Sequence, residues 1–236
     1  MVIATKANGS PRCTVDLQKL NEASTRQIHP TRNPYHLVRE IPANTKKSTY
    51  DCWNGYQSVP IHKDDKHKTT FITEFGRYRY KTSPQGYQAS GDGYTQRYYA
   101  IVEDQPNKAL VIDDACQWES SVEKSFYQLC RYIEKCGNNG IILNPVKFKF
   151  AEEVVDFCGY EIGPDYVRSS KKFHAAIADL QRPVTLTDVR SFFGLVEQVS
   201  YTFHGSEMMA PFRELLRPSN AEQGKINWTN SLKVSF

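Results

Sequence analysis

The chain has 236 residues, 39% of them apolar and 24% charged, with a net charge of +4. That suits one large domain or two small ones with a hydrophobic core and argues against a disordered chain. Its 6 cysteines lack Cys-x-x-Cys or Cys/His spacing, which disfavours a disulfide scaffold or a zinc finger and leaves reduced intracellular thiols as the expectation. No apolar run nears the ~20 residues of a membrane span, so no membrane partner is expected. The stretch before Lys6 is too short for a signal peptide. Residues 1–100 are net basic and 101–163 net acidic. This pattern suits a chain that holds a polyanion beside a metal ion, but on charge alone ordinary regional variation of surface charge is the better reading.

Val2–Thr5 is a short β-rich run, Asn8-Gly9 is a hairpin turn signal, and Arg12–Leu17 alternates as the returning strand. Residues 24–49 read as loop with one short helix, and Ser48–Asp51 as a strand end. Gly55–Ile61 and Thr69–Phe75 look extended, Phe75–Tyr78 turns, and Ser83–Gly86 is a loop. Ala89–Val102 reads as a helix weakened by Gly91 and Gly93. Two apolar runs, 109–112 and 115–118, flank Asp113-Asp114, predicting a hairpin tipped by two acids. Val122, Phe126, Leu129, Ile133 and Cys136 follow at helical spacing, and Gly137 closes that helix. Short strands are expected at 141–143, 147–150 and 154–162, with a boundary near Gly163-Pro164. Helices then follow at 170–180, 187–201 and 208–217, the second opened by a capping box of Thr185 and Asp188. The fold class is therefore α+β: a body over 1–163, a mostly helical part over 164–217, and a further segment over 218–236.

Adjacent carboxylates repel one another unless something cationic neutralises them. Asp113-Asp114 suits a divalent ion, and magnesium prefers carboxylate oxygens together with substrate phosphates. Asp51 ends another β-like run, so two adjacent strands would bring it beside Asp113. By itself, an Asp-Asp dipeptide is an ordinary solvated turn.

The surrounding motifs change that balance. Asn8-Gly9-Ser10-Pro11-Arg12 with Val15-Asp16 and Lys19-Leu20-Asn21, Asp51 to Gln57, His67 to Thr73 and Pro84-Gln85-Gly86 occur in order. They are followed by Val111-Ile112-Asp113-Asp114, Leu143-Asn144-Pro145 with Lys147, Phe157 to Ile162 and Arg190 to Leu195. Together they resemble the reverse transcriptase of gypsy-type LTR retrotransposons and, more distantly, that of retroviruses. The likeness covers nearly the whole chain.

The resemblance implies a right-hand polymerase: partial fingers and a palm with an antiparallel sheet over 1–163, a helical thumb over 164–217, and over 218–236 the start of a connection toward an RNase H domain. It implies that Asp51, Asp113 and Asp114 are catalytic and hold two Mg2+ ions, with Mn2+ as the alternative. Arg12, Lys6, Tyr56, Gln85 and Lys147 would contact the nucleotide, Tyr56 by excluding a 2′-hydroxyl. Cys158, Gly159 and Tyr160 would form the primer grip. The partners would be an RNA or DNA template–primer duplex, deoxynucleoside triphosphates and other parts of a Pol polyprotein, in the cytoplasm or a virus-like particle. Several positions depart from the pattern: Val111 replaces the aromatic residue before the acid pair, Pro11 a tryptophan, and Ala89 to Gly93 an Asn-Ala-Pro-Ala-Thr run. A second reading therefore stands beside the polymerase: an inert, truncated retroelement remnant that only folds or binds nucleic acid. The catalytic reading requires the three carboxylates to converge at one end of a three- or four-stranded antiparallel sheet backed by helices.

Overall fold

The computed structural model describes residues 2–5, 9, 11–53, 55–199, 209–216, 228–230 and 232. It divides into two compact units, 1–155 and 156–236. The first opens with the antiparallel pair β1 (Val2–Thr5) and β2 (Pro11–Thr14). Strand β2 ends at Thr14, short of the returning strand expected over Arg12–Leu17, and helix α1 (Gln18–Glu22) follows. Helix α2 (Pro34–Arg39) starts with Pro34 and is capped by the Asn33 side chain, which accepts from Tyr35 N. Proline is tolerated there because the first helical N–H has no intrahelical partner.

The centre of this unit is a four-stranded antiparallel sheet. Its strands are β3 (Lys46–Asp51), β6 (Lys108–Val111), β7 (Asp114–Glu119) and β8 (Lys149–Glu152), in the order β6-β7-β3-β8. Between β3 and β6 run two 3-10 turns (Gly55–Ser58 and Lys66–Thr69), the hairpin β4 (Phe71–Thr73) and β5 (Gly76–Tyr78), and helix α3 (Ser90–Ile101). The first 3-10 turn replaces the extended run expected from Gly55. Gly55 permits this tightening, since a Cβ there would stand 2.5 Å from the Tyr94 ring. Helix α4 (Val122–Asn138) lies between β7 and β8, capped by Ser121, whose Oγ accepts from Lys124 N.

Strand period sorts the side chains of the sheet. Tyr50, Leu110 and Ala115 face one way and join Tyr94, Tyr98 and Val102 of α3 and Leu129, Tyr132 and Cys136 of α4 in one core. The Tyr98 and Tyr132 hydroxyls bond to each other inside it. The face of α4 turned inward is not the expected stripe. Ser125, Gln128 and Tyr132 are buried with Leu129 and Cys136, while Val122, Phe126 and Ile133 are exposed. Polar Ser48 and Gln117 are buried on the same sheet face, and Gln128 Nε2 donates to Pro106 O, so this layer takes polar side chains. On the opposite sheet face lie Asp51 and Asp114, then Thr49 and Cys116, then Lys47. Lys47 is 0% exposed, and its ammonium donates to the carbonyls of Thr45 (3.0 Å) and Glu153 (2.9 Å).

In the second unit, β9 (Val155–Phe157), which starts at the boundary, β10 (Tyr160–Ile162) and β11 (Val167–Ser169) form a three-stranded sheet. The Gly163-Pro164 pair, read in the sequence as a boundary, lies in the β10–β11 turn, where Gly163 N donates to Tyr166 O at 2.9 Å. Glycine followed by proline marks a turn in either setting. Helices α5 (Lys171–Ala178), α6 (Leu186–Val199) and α7 (Ala210–Leu215) follow. The capping box forms reciprocally: Asp188 N donates to Thr185 Oγ1 and Thr185 N to Asp188 Oδ2. Val189, Phe192, Val196, Met209 and Phe212 make a second core. Of residues 218–236, only 228–230 and 232 are described, and Trp228 among them donates to Pro183 O.

Gly55→Ala forces a methyl into the buried Tyr94 ring, so it should destabilise the first unit by about 1–3 kcal/mol. A melting temperature unchanged from wild type would show that the ring yields freely.

Candidate active site

The β3–β7 register sets Asp51 directly opposite Asp114. In an antiparallel ladder, opposed residues project to the same face with Cβ atoms about 4.5–5.5 Å apart. Asp113 is one residue away, in the two-residue turn between β6 and β7. The sequence placed both acids at the hairpin tip. In the structure the tip is Ile112-Asp113, and Asp114 is already the first residue of β7. The three acids stand at one end of a four-stranded antiparallel sheet backed by helices.

The turn is strained and held. Ile112 has a positive φ, 57°. That is a left-handed conformation, which a β-branched residue adopts at a cost of about 1–3 kcal/mol. Cys52 N donates to Asp113 O at 2.9 Å, tying the turn to the end of β3. From the other side, the Tyr99 hydroxyl of α3 accepts from Ile112 N.

The charges are crowded. Burial, then the charges of Asp113 and Asp51, raise the Asp114 carboxyl to about 6. Asp113 is exposed as a residue, yet partial desolvation of its carboxylate and the Asp51 charge push it the same way. Relief comes from the segment after α4. Lys147 Nζ lies 2.7 Å from Asp51 Oδ1, Asn144 Nδ2 donates to Asp51 Oδ2 at 3.2 Å, and Asn144 N donates to Asp51 O at 2.8 Å. The Asp51 partner and the nearby acids raise the Lys147 ammonium above its ordinary value. Asn144 is a site residue that sequence reasoning did not single out. Its signal was the Asn-Pro turn dipeptide, and its Oδ1 accepts from Val146 N as such turns do.

Among the described residues, no three His, Cys, Asp or Glu side chains form a ready metal cage. The donor set nevertheless fits a hard divalent cation: all oxygen and in excess negative charge, with Lys147 paired, of the three acids, to Asp51. Magnesium is commonly bound by one or two carboxylates completed by substrate phosphates. Asp51, Asp113 and Asp114 are the residues that would hold it.

The other expected site residues are placed as follows. Tyr56 follows β3 in the 3-10 turn, meets Tyr94 edge-on at 6.0 Å and holds its hydroxyl near Gly91 in the first turn of α3. Gln85 lies in the loop before α3, partly exposed. Arg12 is in β2 with its backbone opposite Ala4. Lys6 lies outside the described residues. In the second unit, Cys158 and Gly159, both with positive φ, form the two-residue turn between β9 and β10. Two successive positive φ values are the mark of a tight hairpin. Tyr160 beside them is buried. Among the described residues, no helix is long and apolar enough to cross a membrane.

No protein-family model matches the chain. The retrovirus-related Pol polyprotein from transposon gypsy of Drosophila melanogaster is 24% identical over 241 aligned positions, covering 98% of this chain and 23% of that polyprotein. The Pro-Pol polyprotein of feline foamy virus is 23% identical over 215 positions, 91% of this chain and 19% of its own length. Among solved structures, the foamy viral protease-reverse transcriptase dRH in complex with dsDNA superposes with a TM-score of 0.83 at 22% identity, over 99% of this chain and 41% of that one. The same protein with an RNA/DNA hybrid gives 0.79 at 23% identity, over 99% and 31%. The chain thus spans about a fifth of the length of these polyproteins and less than half of these solved chains. In sequence it is similar to retroviral-like Pol polyproteins, and it has the fold of a segment of the foamy viral protease-reverse transcriptase.

Proposed function

We propose that the chain is an RNA-directed DNA polymerase domain that adds deoxynucleotides to a primer 3′ end. The observation that carries this reading is the opposition of Asp51 and Asp114 with Asp113 beside them, an excess of negative charge at one sheet end. Two Mg2+ ions there, with Mn2+ as the alternative, would supply charge neutralisation for an in-line attack of the primer oxygen on the α-phosphorus. The chain's own residues would do the rest. Lys147, on a flexible exposed stem, would exchange its Asp51 contact for the departing pyrophosphate. Asn144 would keep Asp51 oriented meanwhile. Arg12 and Lys6 would meet the triphosphate, Gln85 the nucleotide, and Tyr56 the sugar. The Cys158-Gly159 turn and Tyr160 would support the primer. The duplexes bound by the foamy viral relatives support a template–primer as the partner of this chain, and base pairing would read the sequence while the protein contacts backbone and shape.

A second reading has one observation in its favour: Lys147 already neutralises Asp51. On that reading the chain is an inert remnant that folds and binds nucleic acid.

Primer extension on an RNA template separates the two. The wild-type chain is expected to extend with magnesium, and Asp113→Asn should lower the rate on the order of a thousandfold. Duplex affinity should stay nearly constant, since it rests on Lys and Arg contacts to phosphate. Duplex binding without magnesium-dependent extension selects the inert reading.

Tyr56→Ala should admit ribonucleotides while largely keeping deoxynucleotide use, because bulk under the sugar discriminates only by clashing with a 2′-hydroxyl. Undiminished rejection of ribonucleotides would remove Tyr56 from this role.

The acid cluster also predicts a pH signature. Asp114 titrates at about 6 when folded and about 3.9 when unfolded. Its protonated form therefore stabilises the fold below the unfolded value, and that contribution is lost as pH rises through the folded one. With a chelator present, Asp114→Asn should melt above wild type by a margin that grows from about pH 4 to about pH 7. Magnesium at neutral pH should close the gap by stabilising the wild type. A margin independent of pH would contradict the crowding of the three acids.

A further inference from the structure

Helix α3 carries a side chain to which the reading above assigns no role. The Tyr99 hydroxyl donates to Leu110 O at 2.9 Å and accepts from Ile112 N at 3.2 Å. Both are backbone groups that the sheet leaves over. Trp118 N donates to Asn107 O, and the antiparallel alternation then turns the Leu110 backbone groups away from β7. Among the described residues no strand lies on the far side of β6, which is an edge of the sheet. The Tyr99 ring is itself fixed, meeting His29 edge-on at 5.4 Å and Tyr98 at 6.2 Å.

One hydroxyl therefore bridges the last residues of β6 and the left-handed residue of the turn. Ile112 has no intrinsic reason to keep its positive φ. If it relaxed toward extended backbone, the peptide joining it to Asp113 would rotate, and the carboxylate of Asp113 would move with it. Cys52 N grips the far side of the same turn through Asp113 O. The turn is thus held between a partly buried tyrosine of α3 and the end of β3.

We propose that Tyr99 is a positioning residue: its hydroxyl holds Ile112 in the left-handed conformation and so fixes where the Asp113 and Asp114 carboxylates stand. The consequence for catalysis rests on the polymerase reading, but the hold on the turn does not.

The test is Tyr99→Phe, which keeps the ring and removes only the hydroxyl. Amide exchange at Ile112 and Asp113 should quicken by about tenfold or more, local opening being the step that exchange reports. The magnesium-induced rise in melting temperature should shrink. In primer extension, kcat should fall and the magnesium needed for half-maximal rate should rise, with KM for the template–primer unchanged. A second background makes the test specific. Glycine adopts positive φ freely, so in Ile112→Gly the hydroxyl has less to hold, and adding Tyr99→Phe there should change exchange and magnesium response far less than in wild type. Recovery of folding or magnesium response in that background supports the proposal even if Tyr99→Phe alone fails to fold. Unchanged exchange at Ile112, or equal effects in both backgrounds, including failure to fold in both, overturns it. A wild-type chain without extension would defeat the polymerase reading, while exchange and magnesium-dependent melting would still decide the role of Tyr99.

Discussion

Three carboxylates meet at the end of β3 and β7, and much of the first unit follows from how their repulsion is contained. The antiparallel register brings Asp51 and Asp114 face to face, a pairing that opposes sheet formation when like charges are left bare. The segment after α4 answers it by turning back so that Asn144 and Lys147 reach Asp51. That return needs the turn at Asn144-Pro145 and the Cys52–Leu143 bridge, which docks the segment beside β3. The helices in turn need the opposite sheet face, because Tyr50, Leu110 and Ala115 carry the core on the side away from the acids. Period-two alternation thus separates the tyrosine-rich core face from the face on which the acids converge at the sheet end.

The sequence was legible where local chemistry and tertiary demand agree. The runs around Asp113-Asp114 are apolar and β-rich, α4 has a serine cap and apolar periodicity, and Thr185 with Asp188 forms the reciprocal cap that its spacing promised. The three acids of the site were legible because a motif order surrounds them. It was less legible where a distant partner decides. The 3-10 turn at Gly55 exists because Tyr94, far along the chain in α3, presses against it. The inward face of α4 could not be read from hydrophobicity, since its buried polar side chains find partners off the sheet: Tyr132 with Tyr98 of α3, Gln128 with the carbonyl of Pro106 before β6, and Ser125 with the carbonyl of Ser121 at the helix cap. Tyr99 had no signal at all: nothing in a helix with adjacent tyrosines says which hydroxyl will find an edge strand.

The hairpins of the two units show two solutions to one geometric demand. Both need a backbone turned into the left-handed region within two residues. The turn between β9 and β10 places glycine at one of its two such positions, where a positive φ costs nothing. The turn between β6 and β7 places isoleucine there and adds hydrogen bonds from Tyr99 and Cys52 to keep it. Each turn keeps one non-glycine residue at positive φ, Cys158 in one and Ile112 in the other, and the β6–β7 turn, which has no glycine, is the one clamped from both sides.

Lys47 extends this logic to the assembly of the sheet. Its side chain is buried, and its ammonium is held by the carbonyls of Thr45 and Glu153. Burial lowers its proton affinity, so any misplacement strands either a charge or an unpaired amine in the interior. A slip of β3 by one residue would move Lys47 to the opposite face, against the tyrosine core, and carry Asp51 with it, out of opposition to Asp114. The lysine thereby acts as an indexing pin. It makes the wrong alignments of β3 expensive, and the alignment it leaves is the one in which the acids converge.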